Sequence, residues 1–271
     1  MSEPLGTKIP SRGWVEDDWR ARPTPQRPWP VILIHGTSGS PGDWKELTTQ
    51  LRNLGWAVFI PGYGQRGTNL ITDSAAQIKA YIDLVLATTG AQKTILVGHS
   101  QGGVLARHYM KFLQGAERTK HLICLSSPNH GTTLGGMLGK LVATNKQAEI
   151  MTKMIDTYFG PAGMQQIAGS PFLQNLNTGP ECLPGVGYTC IATRTDATVV
   201  PAESCFLDKA NNLWIQDQYP LAVIRHDEMP RDRRVRALVT ETLEGLKPIN
   251  PKTTMHTPGQ ATSNVPGQGF K

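Results

Sequence analysis

Thr94-Ile95-Leu96-Val97-Gly98-His99-Ser100-Gln101-Gly102-Gly103 carries the pattern on which the reading of this chain turns. It is a G-x-S-x-G sequence set between an apolar, strand-like run and a helical pattern over residues 101–114. A strand that turns sharply into a helix at a serine lifts the hydroxyl above the sheet edge. Small flanking residues are needed there, because strand and helix pass close together. The helix N-terminus beneath the serine favours developing negative charge. A glycine-rich turn with an idle serine would share the bare pattern, but not its strand–turn–helix setting. Ser100 is therefore the candidate nucleophile.

Outward from the elbow, apolar runs alternate with helical periodicity. Strands are predicted at 31–34, 56–60, 94–97, 121–125, 186–193 and 213–216. Helices are predicted at 41–54, 73–89, 101–114 and 233–246. Trp44, Leu47, Leu51 and Leu54 share one face of the first helix, and Gly55 supplies its stop. Continuous apolar strands alternating with helices imply a doubly wound, mostly parallel sheet with helices on both faces, and the elbow at Ser100 makes the α/β-hydrolase fold the expectation. Sites in such sheets collect at the carboxyl ends of the strands. Residues 1–30 read as an extended N-terminal arm and 31–246 as the domain. Residues 131–181 lack a clear strand and carry Met137, Met151, Met154 and Met164; they read as a helical cap or lid insertion. The Pro-, Gly- and Thr-rich stretch 247–271 reads as a disordered tail.

An oxyanion needs two N–H donors held in place in advance. One is expected from Gln101, directly after the nucleophile. The other is expected from Thr37, in the loop that follows Ile34-His35-Gly36. The acid should end a later strand. Asp196 does so after Val186-Gly187-Tyr188-Thr189-Cys190-Ile191-Ala192-Thr193, with Asp208 and Asp217 as competitors. The base must follow the acid in this fold, which leaves His226 and His256, and His256 falls in the tail. His226 is the candidate base, and the rate is expected to rise as it loses its proton. His99, His108, His121 and His130 precede the acid and read as structural, with His130 a possible pocket residue.

With these residues in place, the chain resembles the actinobacterial triacylglycerol lipases and esterases of the class 2 lipase group. The likeness runs through Pro30-Val31-Ile32-Leu33-Ile34-His35-Gly36-Thr37, Asp73-Ser74-Ala75 and the elbow. It continues in Ser127-Pro128-Asn129-His130-Gly131-Thr132-Thr133, Gln165-Gln166-Ile167-Ala168-Gly169-Ser170 and Phe172-Leu173. It closes on Ile191-Ala192-Thr193-Arg194-Thr195-Asp196 and Val199-Val200-Pro201. The resemblance implies a Ser100–Asp196–His226 triad, oxyanion donors at Thr37 and Gln101, and a cap over roughly 131–177. It also implies a lipid ester substrate and no metal or organic cofactor.

Composition narrows the alternatives. The 271 residues suit one α/β domain, and 39% hydrophobic content suits a packed globule. A net charge of +6 is spread along the chain with no basic stripe, which argues against nucleic acid. No run approaches the roughly 20 apolar residues of a membrane span, so transient contact with a lipid interface is the most that is expected. Met1-Ser2-Glu3-Pro4 has no apolar leader, which points to the cytosol, whereas the resemblance points to secretion. Cys124 reads as a buried thiol; Cys182, Cys190 and Cys205 leave one bridge, Cys190–Cys205, or none equally open. A short-chain esterase, thioesterase or acyltransferase would use the same triad, and a non-catalytic binding member would keep the fold without the chemistry. Oligomeric state is not readable from the pattern.

Overall fold

The computed structural model describes residues 3–134 and 145–246. Six strands make one sheet: β1 (Val31–Ile34), β2 (Val58–Phe59), β3 (Thr94–His99), β4 (Thr119–Leu125), β5 (Gly187–Ala192) and β6 (Asn211–Trp214). Their order is β2-β1-β3-β4-β5-β6, and each neighbouring pair is parallel. All residues of β1 and β3 are buried. A strand covered on both faces has no solvent side, so these segments read as unbroken apolar runs.

The helices divide between the two faces. α1 (Lys45–Asn53) and α6 (Arg233–Gly245) pack Leu47, Leu51, Val235, Leu238, Val239 and Leu243 against Val31, Leu33, Ile95 and Val97. On the other face, α2 (Ile71–Thr89) and α3 (Gln101–Phe112) bury Ile78, Ile82, Val104 and Tyr109 against Ile32, Ile34, Leu96 and Leu122. Adjacent residues of one strand thus serve opposite cores, as the period of two requires. Two further helices, α4 (Asn145–Gln165) and α5 (Pro171–Leu176), stand between β4 and β5. α4 breaks at Gly160, whose φ is 64°, followed by Pro161.

The chain runs from β1 outward to β2, then returns to β3 on the far side of β1. The direction of winding reverses there, which opens a crevice beyond the carboxyl ends of β1 and β3. Thr37 lies just beyond β1 and Ser100 directly after β3.

Some elements depart from the sequence expectation. The strand expected over 56–60 pairs only at Val58 and Phe59, because the Ile60 N–H turns to the Asp17 carboxylate at 2.8 Å. The strand expected at 213–216 begins at Asn211 and gives way to a helical turn at Ile215. Cys190 and Cys205 are not bridged; all four cysteines are free. Cys190 pairs in register with Cys124 on the neighbouring strand, and Cys182 Sγ donates to the Asp208 carbonyl. The stretch 247–271 and residues 135–144 of the expected cap, including Met137, lie outside the described residues.

Candidate active site

The elbow is built by what its glycines lack. A Cβ on Gly98 would fall 2.3 Å from the Gly103 nitrogen, and one on Gly102 would fall 2.3 Å from the Ile34 carbonyl oxygen. Backbone cannot yield such distances cheaply, so β3, α3 and β1 meet only because these positions carry no side chain. Ser100 itself sits at φ 53° and ψ −125°. For a residue with a Cβ this region costs about 1–3 kcal/mol, strain of the kind found at functional sites. The Ser100 N–H is fixed by the Leu125 carbonyl at 2.9 Å.

Ser100, His226 and Asp196 converge although 126 and 30 residues separate the pairs in sequence. The Ser100 Oγ–His226 Nε2 distance is 2.9 Å, and His226 Nδ1 lies 2.8 Å from Asp196 Oδ2. Burial opposes ionisation of Asp196, but the hydrogen bond and charge of His226 and the Val199 and Thr198 N–H groups outweigh it. They hold the carboxyl below its usual range. An ionised carboxylate only accepts, so Nδ1 carries the proton and Nε2 of the neutral ring faces Ser100 as acceptor. The other oxygen, Oδ1, accepts from the Thr198 and Val199 N–H groups, each at 2.9 Å. The Asp196 side chain is fully buried and that of His226 is 13% exposed, which leaves the imidazole one open edge.

His99, expected under the elbow, is buried with its pKa pushed down to about 3, chiefly by desolvation and then by His226. It stays neutral and its Nε2–H donates to the His226 carbonyl at 2.9 Å, so it holds the backbone of the base. Asp217 pairs instead with Arg194 at 3.0 Å, and Asp208 is an exposed loop residue. His130 meets Glu181 at 2.8 Å and does not line the cleft around Ser100. His108 packs among Phe112 and Phe172.

Thr37 and Gln101 meet across the crevice. The Thr37 hydroxyl donates to Gln101 Oε1 at 2.8 Å, and Gln166 Nε2 donates to the same hydroxyl at 3.0 Å and to the Ala162 carbonyl at 3.0 Å. The backbone N–H groups of Thr37 and Gln101 donate to no acceptor among the described residues. Two free donors, one on each strand end beside a serine hydroxyl, are what an oxyanion-stabilising pair requires.

Sequence reasoning missed three contributors. Gln166 acts across 129 residues with no spacing to reveal it. Arg66 donates to two carbonyls of the Thr37 loop and two of the N-terminal arm. Residues 9–12 of the arm line the cleft, a space of about 630 Å³ that also opens on Ser100 and His226.

The buried imidazoles make a stability prediction. Desolvation pushes His35 down to about 4, His99 to about 3 and His121 to about 4, from an ordinary value of 6.5. Each is depressed in the fold, so the unfolded chain binds protons first as the pH falls. Stability is expected to hold above about pH 6.5 and to decline steadily below it, toward pH 3–4. Urea midpoints measured from pH 8 to 4.5 test this, and a flat midpoint would contradict it.

The class 2 lipase family matches residues 28–244. A triacylglycerol lipase of Pseudarthrobacter phenanthrenivorans is 34% identical over 87 residues, 30% of this chain and 27% of that one. A triacylglycerol lipase of Pseudomonas fragi is 27% identical over 150 residues, 54% of this chain and 50% of that one. The chain thus spans between about a quarter and a half of these relatives. Among solved structures, Aspergillus fumigatus lipase B superposes with a TM-score of 0.65 at 20% identity, covering 83% of this chain and 54% of that one. The mature Bacillus licheniformis lipase BlEst2 superposes at 0.60 and 17% identity, over 85% of this chain and 95% of that one. These likenesses establish the α/β-hydrolase fold, and the family match over most of its length means that this chain belongs to the class 2 lipases.

Proposed function

We propose that the chain is a carboxylic ester hydrolase acting on acylglycerols through Ser100, His226 and Asp196. The observation that carries this reading is the continuous hydrogen-bonded line from Ser100 Oγ through His226 to a buried carboxylate, at 2.9 and 2.8 Å. Ser100 Oγ attacks the ester carbonyl as His226 Nε2 takes its proton. The carbonyl oxygen becomes an oxyanion that the Thr37 and Gln101 N–H groups receive. His226 returns the proton to the leaving alcohol, and an acyl-enzyme on Ser100 remains. Water, deprotonated by the same nitrogen, attacks the acyl carbonyl and frees the acid and Ser100. Asp196 fixes the tautomer and stabilises the imidazolium.

Residues 131–181 serve in this reading as the cap. Its described part joins the site at Gln166, whose amide reaches the Thr37 hydroxyl. Met151 is buried and Met154 is exposed, so the cap methionines serve both packing and surface. Leu221 and Val223, 96% and 74% exposed on the loop that ends at His226, support transient contact with a lipid interface. Among the described residues no helix is long and apolar enough to cross a membrane.

Initial rates on p-nitrophenyl esters from acetate to palmitate test the reading. Hydrolysis rising toward long acyl chains is the expected outcome. Activity confined to acetate and butyrate would retain the triad but replace acylglycerols with short-chain esters. No hydrolysis, together with no labelling by a fluorophosphonate, would overturn the reading and favour a binding member of the fold.

A further inference from the structure

The family match begins at residue 28, yet the cleft around Ser100 is closed on one side by residues that precede it. Ile9, Pro10, Ser11 and Arg12 line that cleft together with Thr37, Ser100 and His226. This segment is tied down at several places. The Asp17 carboxylate accepts from the Ile60 N–H at 2.8 Å and from the Tyr81 hydroxyl. Trp19 packs on Phe59 at 5.3 Å between ring centres. The Gly42 N–H donates to the Gly13 carbonyl at 3.1 Å, and a Cβ on Gly42 would fall 2.3 Å from the Arg12 carbonyl oxygen. Nearer the terminus, a Cβ on Gly6 would fall 2.3 Å from Ser38 Oγ and 2.4 Å from the Tyr158 carbonyl oxygen. The arm is therefore wedged between the loop after β1 and helix α4.

The strongest tie is Arg66. Its guanidinium donates to the Thr7 carbonyl at 2.9 Å and to the Ile9 carbonyl on the arm. It also donates to the Ser38 carbonyl and to the Gly39 carbonyl at 3.2 Å, both in the loop that carries Thr37. Arg66 takes this position at φ 60°, a left-handed conformation unusual for its residue type. A planar fork with five donors can hold four carbonyls at once, and an ammonium on a flexible stem cannot. One side chain thus couples the arm to the oxyanion loop.

The wall so built sets polar Ser11 and Arg12 beside apolar Ile9 and Pro10. Arg12 Nε lies 3.4 Å from Asp43 Oδ1, its side chain is 49% exposed, and both residues line the cleft together with Ser11. An alkyl group can touch only the apolar part of such a lining, whereas a moiety with free hydroxyls can also pair with a carboxylate, a guanidinium and a serine.

We propose that residues 9–12 of the arm form a specificity wall that favours esters of a hydroxyl-bearing alcohol, such as partial acylglycerols, over simple alkyl esters. Arg66 is the positioning residue that holds this wall against the oxyanion loop. The inference rests on the ester hydrolase reading above. It does not depend on the acyl-chain preference.

The test compares monodecanoylglycerol with ethyl decanoate, two esters of one acid, for the native chain, Arg12→Ala and Arg66→Lys. The native chain is expected to prefer the glycerol ester. Arg12→Ala should lower that preference about tenfold, mainly through a higher KM for the glycerol ester. Arg66→Lys should abolish the preference and also lower kcat on both esters, because the oxyanion loop loses its anchor. Thermal melts separate misfolding from loss of selectivity. The half-exposed Arg12 decides the matter even if Arg66→Lys fails to fold. An unaltered preference in Arg12→Ala, or none in the native chain, would overturn the wall while hydrolysis of either ester left the hydrolase reading standing. No hydrolysis of either ester by the native chain would overturn both.

Discussion

Replacing Ser100 with alanine is expected to lower kcat by roughly 10⁵- to 10⁶-fold, with KM within a few-fold of native. The size of the effect follows from the geometry. The Ser100 hydroxyl is the group that His226 Nε2 contacts, at 2.9 Å, in the cleft that Thr37 also lines. Among the described residues His226 Nε2 pairs with the Ser100 hydroxyl rather than with Ser11 or Ser38, which also line the cleft, and Ser126 and Ser127 are fully buried. Rate acceleration that survives would come from the oxyanion donors and binding acting on water. Alanine keeps the Cβ and the backbone strain at φ 53°, so the fold should change little. Steady-state rates on one p-nitrophenyl ester, read beside thermal melts of both proteins, check this. A variant within tenfold of native would place the nucleophile elsewhere.

Much of this site could be read in the sequence because it depends on what the backbone forbids. Gly98 and Gly102 are visible as letters, and the close approaches they permit are what any strand–elbow–helix must solve. The expected order of nucleophile, acid and base then reduced the candidate histidines to His226, which the fold brings to 2.9 Å from Ser100 Oγ. The parallel sheet was readable for a similar reason, since β1 and β3 must be apolar along their whole length.

What escaped the sequence acts through single long-range contacts. Gln166 lies in the stretch 165–170 that carries the resemblance, but its partner cannot be read there; its amide matters because α4 ends beside Thr37. Arg66 looks like any surface arginine until its left-handed backbone aims it at the carbonyls of the arm. His99 was readable as structural, but not as the group that holds the His226 carbonyl. The arm has no periodicity to betray a wall. It also shortens β2, because Asp17 takes the Ile60 N–H that a longer strand would have used. Pairing of side chain with backbone at a distance leaves no repeat in the sequence, and only the assembled fold reveals it.

The Asp196→Asn variant is expected to lose about 10⁴-fold in kcat, because the tautomer of His226 is set by which oxygen of Asp196 faces it. Oδ1 is committed as an acceptor to the Thr198 and Val199 N–H groups. In asparagine the carbonyl oxygen must therefore occupy that position, and the amide nitrogen takes the place of Oδ2. The amide is a donor and now faces His226 Nδ1. It demands an acceptor there, so the ring proton moves to Nε2 and points at Ser100. A base already protonated on the face toward its nucleophile cannot take that nucleophile's proton. Turning the amide over would not help, since its NH₂ would then oppose two backbone N–H donors. The substitution preserves volume within a buried side chain, so binding should be nearly intact and the loss should fall on kcat rather than KM. A loss below about 100-fold would mean that another group orients the base. Neither Asp208 nor Asp217 is placed to do so, since Asp217 is engaged with Arg194 and Asp208 is an exposed loop residue.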